Sequence, residues 1–226
     1  MSRNEPEPGE ASAAVVLWGA GGHALSLSEL AHASGLTVAA YVVDEGFTAS
    51  PHLQPVIVGE MGIAAWLAAR PLLLPRYLVA IGMRGRARSA KADILDRLGL
   101  TPATLSDPTA RIAASARIGE GTQVFFGAHV GPYAVVGRHC ILNTGCCVEH
   151  EAQIGDNVDL APHSVLLGQA KLGNNVVLGA NATVLEGRTV CDDVIVGAGS
   201  VIAANIDVPG TYVGTPARRV TPPPNR

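Results

Sequence analysis

"IGEGTQVFFGAHVGPYAVVG", residues 118–137, sets an aliphatic side chain at Ile118, Val124, Val130 and Val136 and varies freely between them. A step of six matches neither the alternation of a half-buried strand nor the 3.6-residue turn of an α-helix. Extended both ways, it runs without an insertion from Ile112 through Leu142, Val148, Ile154, Leu160, Leu166, Leu172, Leu178, Val184, Val190 and Val196 to Ile202. Four places after each aliphatic residue comes a small or β-branched one, as at Ala116, Thr122, Ala128, Ala134, Cys140 and Cys146, with Arg188 the exception. Glycine is common directly after the aliphatic position, at 119, 131, 137, 155, 173, 179 and 197.

A short period held for about ninety residues marks a parallel β-helix. Three short strands make one triangular coil of about 18 residues, with the aliphatic side chain inside the prism and the small one near its corner. Glycine, Asn and Asp are expected to supply turn conformations that other residues resist. So thin a prism has no room for stacked rings, in keeping with 4% aromatic residues beside 48% hydrophobic ones and 26 glycines.

Residues 13–105 keep a different rhythm. Strands expected at Ala14–Trp18, 38–43, Val56–Val58 and 77–81 alternate with helical stretches from His23 to Ser34, through "MGIAAWLAAR", and from Arg86 to Leu98. That alternation predicts a parallel sheet with helices packed on it. About four strands is roughly half of a dinucleotide-binding domain. The expected organisation is a polar, disordered tail over 1–12, an α/β Rossmann-like half domain over 13–105, and an all-β helix domain over 106–226.

A net charge of −3, with no basic run beyond Arg84, Arg86 and Arg88, argues against a nucleic-acid partner. The cysteines at 140, 146, 147 and 191 lack CxxC spacing and read as buried small hydrophobes in a reducing compartment. No apolar run approaches about 18 residues, so no membrane span is expected and the cytoplasm is the default location. His129, His139, His150 and His163 include no HxxxxH pair, so no metal site is expected.

"GAGGHA", residues 19–24, fits G-x-G-x-x-A between a strand and a helix, and Asp44 closes the next strand. Gly19, Gly21 and Gly22 would let backbone N–H groups approach a pyrophosphate beside His23, with Asp44 taking a ribose hydroxyl. The ligand of such a loop is NAD or a nucleoside diphosphate; the missing second half weighs against NAD, and close packing alone would also use the glycines.

The segments "IGEGTQVFFGAHVG", "IGDNVDLAP", "LGNNVVLGANATV", "VIVGAGSVI" and "VPGTYVGTPARRV" resemble the hexapeptide-repeat acyltransferases, whose helix is left-handed. With "GAGGHA" in front, the chain is similar to their sugar-acetyltransferase subfamily, which includes bacillosamine-pathway and perosamine N-acetyltransferases and sialic acid O-acetyltransferases. The resemblance spans nearly all of 14–220. It implies a homotrimer, with acetyl-CoA in the groove between neighbouring helices. It also implies a nucleotide-linked amino sugar held partly by the N-terminal domain, where the residues expected to bind it are those of the glycine loop, Gly19, Gly21, Gly22 and His23, with Asp44 and Arg84.

"NTG" at 143–145 followed by "VEHE" at 148–151 carries the family's catalytic pattern. His150, two places after Val148, is no rung residue and by position alone would be solvated surface. The resemblance makes it the catalytic base, Glu151 its carboxylate partner and Asn143 a polar contact to the acceptor amine. An imidazole, with an ordinary pKa of ~6.5, suits the proton that an amine sheds on attacking a thioester. Adjacent strand residues point to opposite faces, so Glu151 must reach round a corner or act within the trimer groove, and spacing leaves Glu149 open. Acetyl-CoA contacts are implied near Gly168, Ala180 and Ala198, with Arg218 or Arg219 by the 3′-phosphate.

Two departures from the family pattern stand out. Asp159, in "VDLAPH", occupies the place of a second histidine that touches the acetyl donor, with His163 displaced; this puts Asp159's donor contact in doubt. Met83 and Arg84 replace an Asp/Asn-Asn pair after "VAIG". Arg84, Arg86 and Arg88 would then either grip the pyrophosphate or form the solvated start of a helix. The expected reaction is direct acetyl transfer to an amino group, with Cys146 in a small inward position and no acyl-enzyme. Its rivals are O-acetylation of a sialic-acid-like sugar and a catalytically silent trimeric scaffold.

Overall fold

The computed structural model describes residues 14–73, 75–83 and 85–220; the tail expected over 1–12 and Arg84 lie outside them. The chain forms two compact units. One runs to Ile81 and takes in Ala87–Leu105, and the other joins Gly82–Arg86 to the chain from Ser106 onward.

The first unit alternates β1 (Ala14–Trp18), α1 (Gly22–Ala33), β2 (Thr37–Val43), β3 (Val56–Val58), α2 (Gly59–Ala68), β4 (Arg76–Val79), α3 (Gly85–Arg97) and β5 (Thr101–Pro102). The strands pair in the order β3-β2-β1-β4-β5, all parallel. β1, at the centre, is buried throughout, which is why AVVLW is an unbroken apolar run. Trp18, Val42, Tyr77 and Val79 of the sheet pack with Ile63 of α2 and Ala92 and Leu95 of α3. The Tyr77 hydroxyl donates to Asp96 Oδ1 at 2.7 Å and ties β4 to α3. β5 escaped the sequence reading because two residues carry no period. The order turns outward from β1 in both directions, which makes the carboxyl ends of β1 and β4 the sheet's topological switch point.

The second unit is a left-handed parallel β-helix. Its two-residue strands pair at intervals of eighteen residues, His129–Val130 with Cys147–Val148, then Val165–Leu166, then Thr183–Val184. The six-step aliphatics form the buried core from Val124 to Ile202, with Ala128, Ala134, Cys140, Cys146 and Ala152 between them. Burial of each such aliphatic side chain is favourable by about 1.5–3 kcal/mol.

From Gly121 to Gly199 every sixth residue has positive φ, including Tyr133, His139, Glu151, Asn157, His163, Gln169 and Asn175. The left-handed residue of each corner is therefore the third after the aliphatic one. Glycine, Asn and Asp do supply many of these turns, as expected, at Gly121, Gly127, Gly145, Asn157, Asn175 and Asp193, whereas the glycines directly after the aliphatic position make room. A Cβ on Gly137 would lie 2.5 Å from the carbonyl oxygen of Gly155, and one on Gly119 equally close to Gly137. Asx side chains fasten one corner from coil to coil: Asp156 Oδ1 accepts the Arg138 N–H at 2.7 Å, Asn174 Oδ1 that of Asp156 at 2.8 Å, and Asp192 Oδ1 that of Asn174 at 2.8 Å. Gly210–Gly214 pairs with Val194–Val196 and folds back antiparallel on Ala217–Val220, covering that sheet's end. Among the described residues no helix is long and apolar enough to cross a membrane.

Candidate active site

His150 sits half-exposed at the corner that follows the strand Cys147–Val148. Glu151 is that corner's left-handed residue, with φ 59°. The chain turns between the two, so neighbours that would diverge along a strand converge here. His150 Nδ1 lies 3.3 Å from Glu151 Oε2. Glu149 is engaged elsewhere, its Oε1 accepting from the Cys147 thiol at 3.4 Å. Of the two glutamates, Glu151 is the one whose carboxylate meets the His150 ring. A carboxylate only accepts, so Nδ1 carries the proton in this pair and the Nε2 lone pair is left to act as a base.

The next coil seats this pair. A Cβ on Gly168 would come 2.5 Å from His150 Nε2, so the imidazole rests where any other residue would put its side chain. The Gln169 N–H donates to the His150 carbonyl at 2.9 Å, and Gln169 Nε2 donates to Glu151 Oε2 at 3.1 Å. The hydrogen bond from Gln169, and after it that from His150, holds the Glu151 carboxyl below the usual carboxylate range. Sequence reasoning missed Gln169 and assigned Gly168 only to the donor. A signal was there: both lie one coil of eighteen residues from Glu151 and His150. The rings of His139 and His163 likewise occupy the space beside Gly121 and Gly145, one coil away.

Asn143 is half-buried, and its Oδ1 accepts the Thr144 N–H at 2.8 Å, a turn-forming bond. Burial, and after it the neighbouring Cys147, pushes the Cys146 thiol up to about 12. Burial, and after it the hydrogen bond and charge of Glu149, pushes that of Cys147 up to about 11. Neither thiol supplies a thiolate near neutrality. Ala180 and Ala198 stack on a different corner from His150 and Gly168, with the Gly199 N–H donating to the Ala180 carbonyl at 2.8 Å. Arg218 is exposed on the terminal hairpin, its Nη1 donating to the Ala217 carbonyl at 2.9 Å.

The two family departures meet each other. Asp159 is 5% exposed, and its Oδ2 accepts the Met83 N–H at 2.6 Å. Arg86 forks onto Asp193 through Nε at 3.0 Å and Nη2 at 2.5 Å. Arg88 is fully buried and donates to the Ile81 carbonyl at 2.7 Å. Arg88 is thus committed to the protein interior, in neither of the roles the sequence left open, whereas Arg86, exposed in the first turn of α3, belongs to a solvated helix start.

In the first unit Gly19 has φ 123°, and a Cβ there would meet the Ala80 carbonyl oxygen at 2.5 Å. Gly21 caps α1 without a side-chain bond, Gly22 and His23 open the helix, and no acidic residue lies in its first turn. That N-terminus carries its partial positive charge uncompensated by its own turn. Asp44 Oδ1 accepts from Lys91 Nζ at 2.6 Å, and the ammonium lies 4.8 Å over the Trp18 ring. Lys91 had no sequence signal, because only the packing of α3 brings it to the end of β2. Among the described residues no three His, Cys, Asp or Glu side chains form a group suited to a metal ion.

Residues 169–204 match the family described as bacterial transferase hexapeptide (six repeats). No curated protein matches the chain. PerB from Caulobacter crescentus, solved in complex with CoA and GDP-perosamine, is 31% identical, with a TM-score of 0.84 over 92% of this chain and 97% of its own. Variants of that perosamine N-acetyltransferase with one histidine changed to asparagine or alanine have been solved with the same ligands. The acetyltransferase domain of PglB from Neisseria gonorrhoeae, in complex with acetyl coenzyme A, is 29% identical, with a TM-score of 0.82 over 92% of this chain and 100% of its own. WeeI from Acinetobacter baumannii, at 20% identity and a TM-score of 0.82 over 91% and 99% of the two chains, shares the fold. The chain belongs to the hexapeptide-repeat sugar acetyltransferases.

Proposed function

We propose that the chain transfers the acetyl group of acetyl-CoA to the amino group of a nucleotide-linked amino sugar, with His150 as general base. The observation that carries this reading is the imidazole seated over Gly168 with Nδ1 at the Glu151 carboxylate. The relatives solved with CoA and GDP-perosamine, or with acetyl coenzyme A, support the choice of substrates.

In this reaction the amine attacks the thioester carbonyl, His150 Nε2 takes the proton that the nitrogen sheds, and CoA leaves as the thiol. Glu151 stabilises the imidazolium and fixes the tautomer. Such a positioned base contributes about 10²–10⁴-fold. Transfer is direct, because Cys146 and Cys147 hold their protons far above neutrality. Asn143 meets the acceptor amine, and the loop from Gly19 to His23, with Asp44 and Arg84, holds the nucleotide. Ala180, Ala198 and Arg218 line the path of CoA, while the Asp159 carboxylate is engaged by the Met83 N–H. The domains divide at 105/106. The enzyme works as a homotrimer in the cytoplasm.

The test is an acetylation screen over GDP-, UDP- and dTDP-linked amino sugars, with free sialic acid as the control. Turnover with at least one nucleotide-linked amine and none with sialic acid is expected. Acetylation of sialic acid alone, or of nothing, would overturn the reading.

A further inference from the structure

Glu151 is exposed, so packing does not hold its carboxylate. A solvated glutamate beside a histidine has several rotamers, and most of them point away from Nδ1. The residue that restrains it comes from the following coil. Gln169 lies eighteen residues on, at the equivalent left-handed corner position, with φ 59° like that of Glu151. Its backbone N–H is fixed on the His150 carbonyl at 2.9 Å, and its side-chain amide reaches Glu151 Oε2 at 3.1 Å. The carboxylate can only accept, which orients the amide with its NH₂ toward Glu151. One oxygen, Oε2, thereby takes hydrogen bonds from both His150 Nδ1 and Gln169 Nε2.

We infer that Gln169 is a positioning residue for catalysis: it holds the Glu151 carboxylate against His150 and so makes a three-membered chain, Gln169–Glu151–His150, built from two successive coils. The inference rests on His150 being the base. Gln169 is anchored by its own backbone to His150, the residue whose side chain it helps to aim through Glu151. The hydrogen bond also favours the ionised form of Glu151, which keeps its charge available to the imidazolium as it forms. Neither a rung nor a coil-contact glycine, Gln169 has no packing duty that a similar side chain would fail to meet.

The experiment compares the steady-state kinetics of Gln169→Leu, Gln169→Glu, Glu151→Gln and Gln169→Leu/Glu151→Gln with the wild-type enzyme. Gln169→Leu should lower kcat about tenfold while both KM values stay within about twofold, the pattern of an interaction used in the transition state. The double variant should be no slower than Glu151→Gln alone, because both changes break one chain. Gln169→Glu sets a second carboxylate beside the first, which raises the pKa of the pair. Its turnover relative to wild type should therefore recover as pH falls from about 8 to about 5.5, when a shared proton restores a donor; Gln169→Leu should show no recovery. A merely structural residue would not produce that difference. Unchanged kcat in Gln169→Leu, or additive losses in the double variant, would overturn the inference. Full activity in His150→Ala would instead remove the reading beneath it, and so the two failures are distinct.

Discussion

Cys147 and Glu149 pair with each other beside His150 and Glu151. The thiol donates to Glu149 Oε1, which favours its protonated form, and the carboxylate charge repels a thiolate. Both effects add to burial in the same direction, so Cys147 should resist alkylation by iodoacetamide at neutral pH and react readily only as pH nears 11. Glu149→Gln removes the charge and weakens the acceptor, and should speed alkylation of Cys147 at pH about 8 by roughly tenfold. Rates would be read by mass spectrometry of the modified peptide, and an unchanged rate would count against the Glu149 contact. Glu151 has the opposite sign. Its carboxyl is held low, so whatever stability its contacts add is present above the ordinary carboxylate pKa and fades only as pH falls through its lowered one.

At the scale of the coil, two kinds of glycine have opposite consequences. A Cβ at Gly137 would strike the backbone of Gly155, which cannot yield without parting the coils. At Gly168 it would strike only the far end of the His150 side chain, which can swing away. Gly137→Ala should therefore lower the melting temperature. Gly168→Ala should leave the melting temperature near that of the wild type and cut kcat by roughly 10²-fold, since misplacing a reacting group by about 1 Å costs that much. Thermal melts and kinetics on the same two preparations separate the effects; a Gly168→Ala enzyme of normal turnover would show that the imidazole does not work from this seat. The rungs were legible because every coil makes the same demand at Val124, Leu142 and Leu160. The corners were legible in part: glycine, Asn and Asp do carry many of the turns, as at Gly145 and Asn157, but close approach also selects glycine, and only coordinates separate Gly137 from Gly145.

Across the whole chain, the sequence revealed what repeats and hid what meets only once. The alternation of strands and helices announced the parallel sheet, and six-residue spacing announced the β-helix. Lys91 with Asp44, Met83 with Asp159 and Arg86 with Asp193 are single contacts between distant residues, and no period predicts them. The union of His150 with Glu151 lay between these cases: the residues were evident, but their convergence depends on a left-handed corner. The proposed chemistry hangs on that one imidazole. The most direct measurement is kcat of His150→Ala with acetyl-CoA and an amino sugar accepted by the wild type, in a preparation whose melting temperature is unchanged. A loss of two or more orders of magnitude is the predicted result. Turnover within a few-fold of wild type would contradict the assignment of His150 as the base.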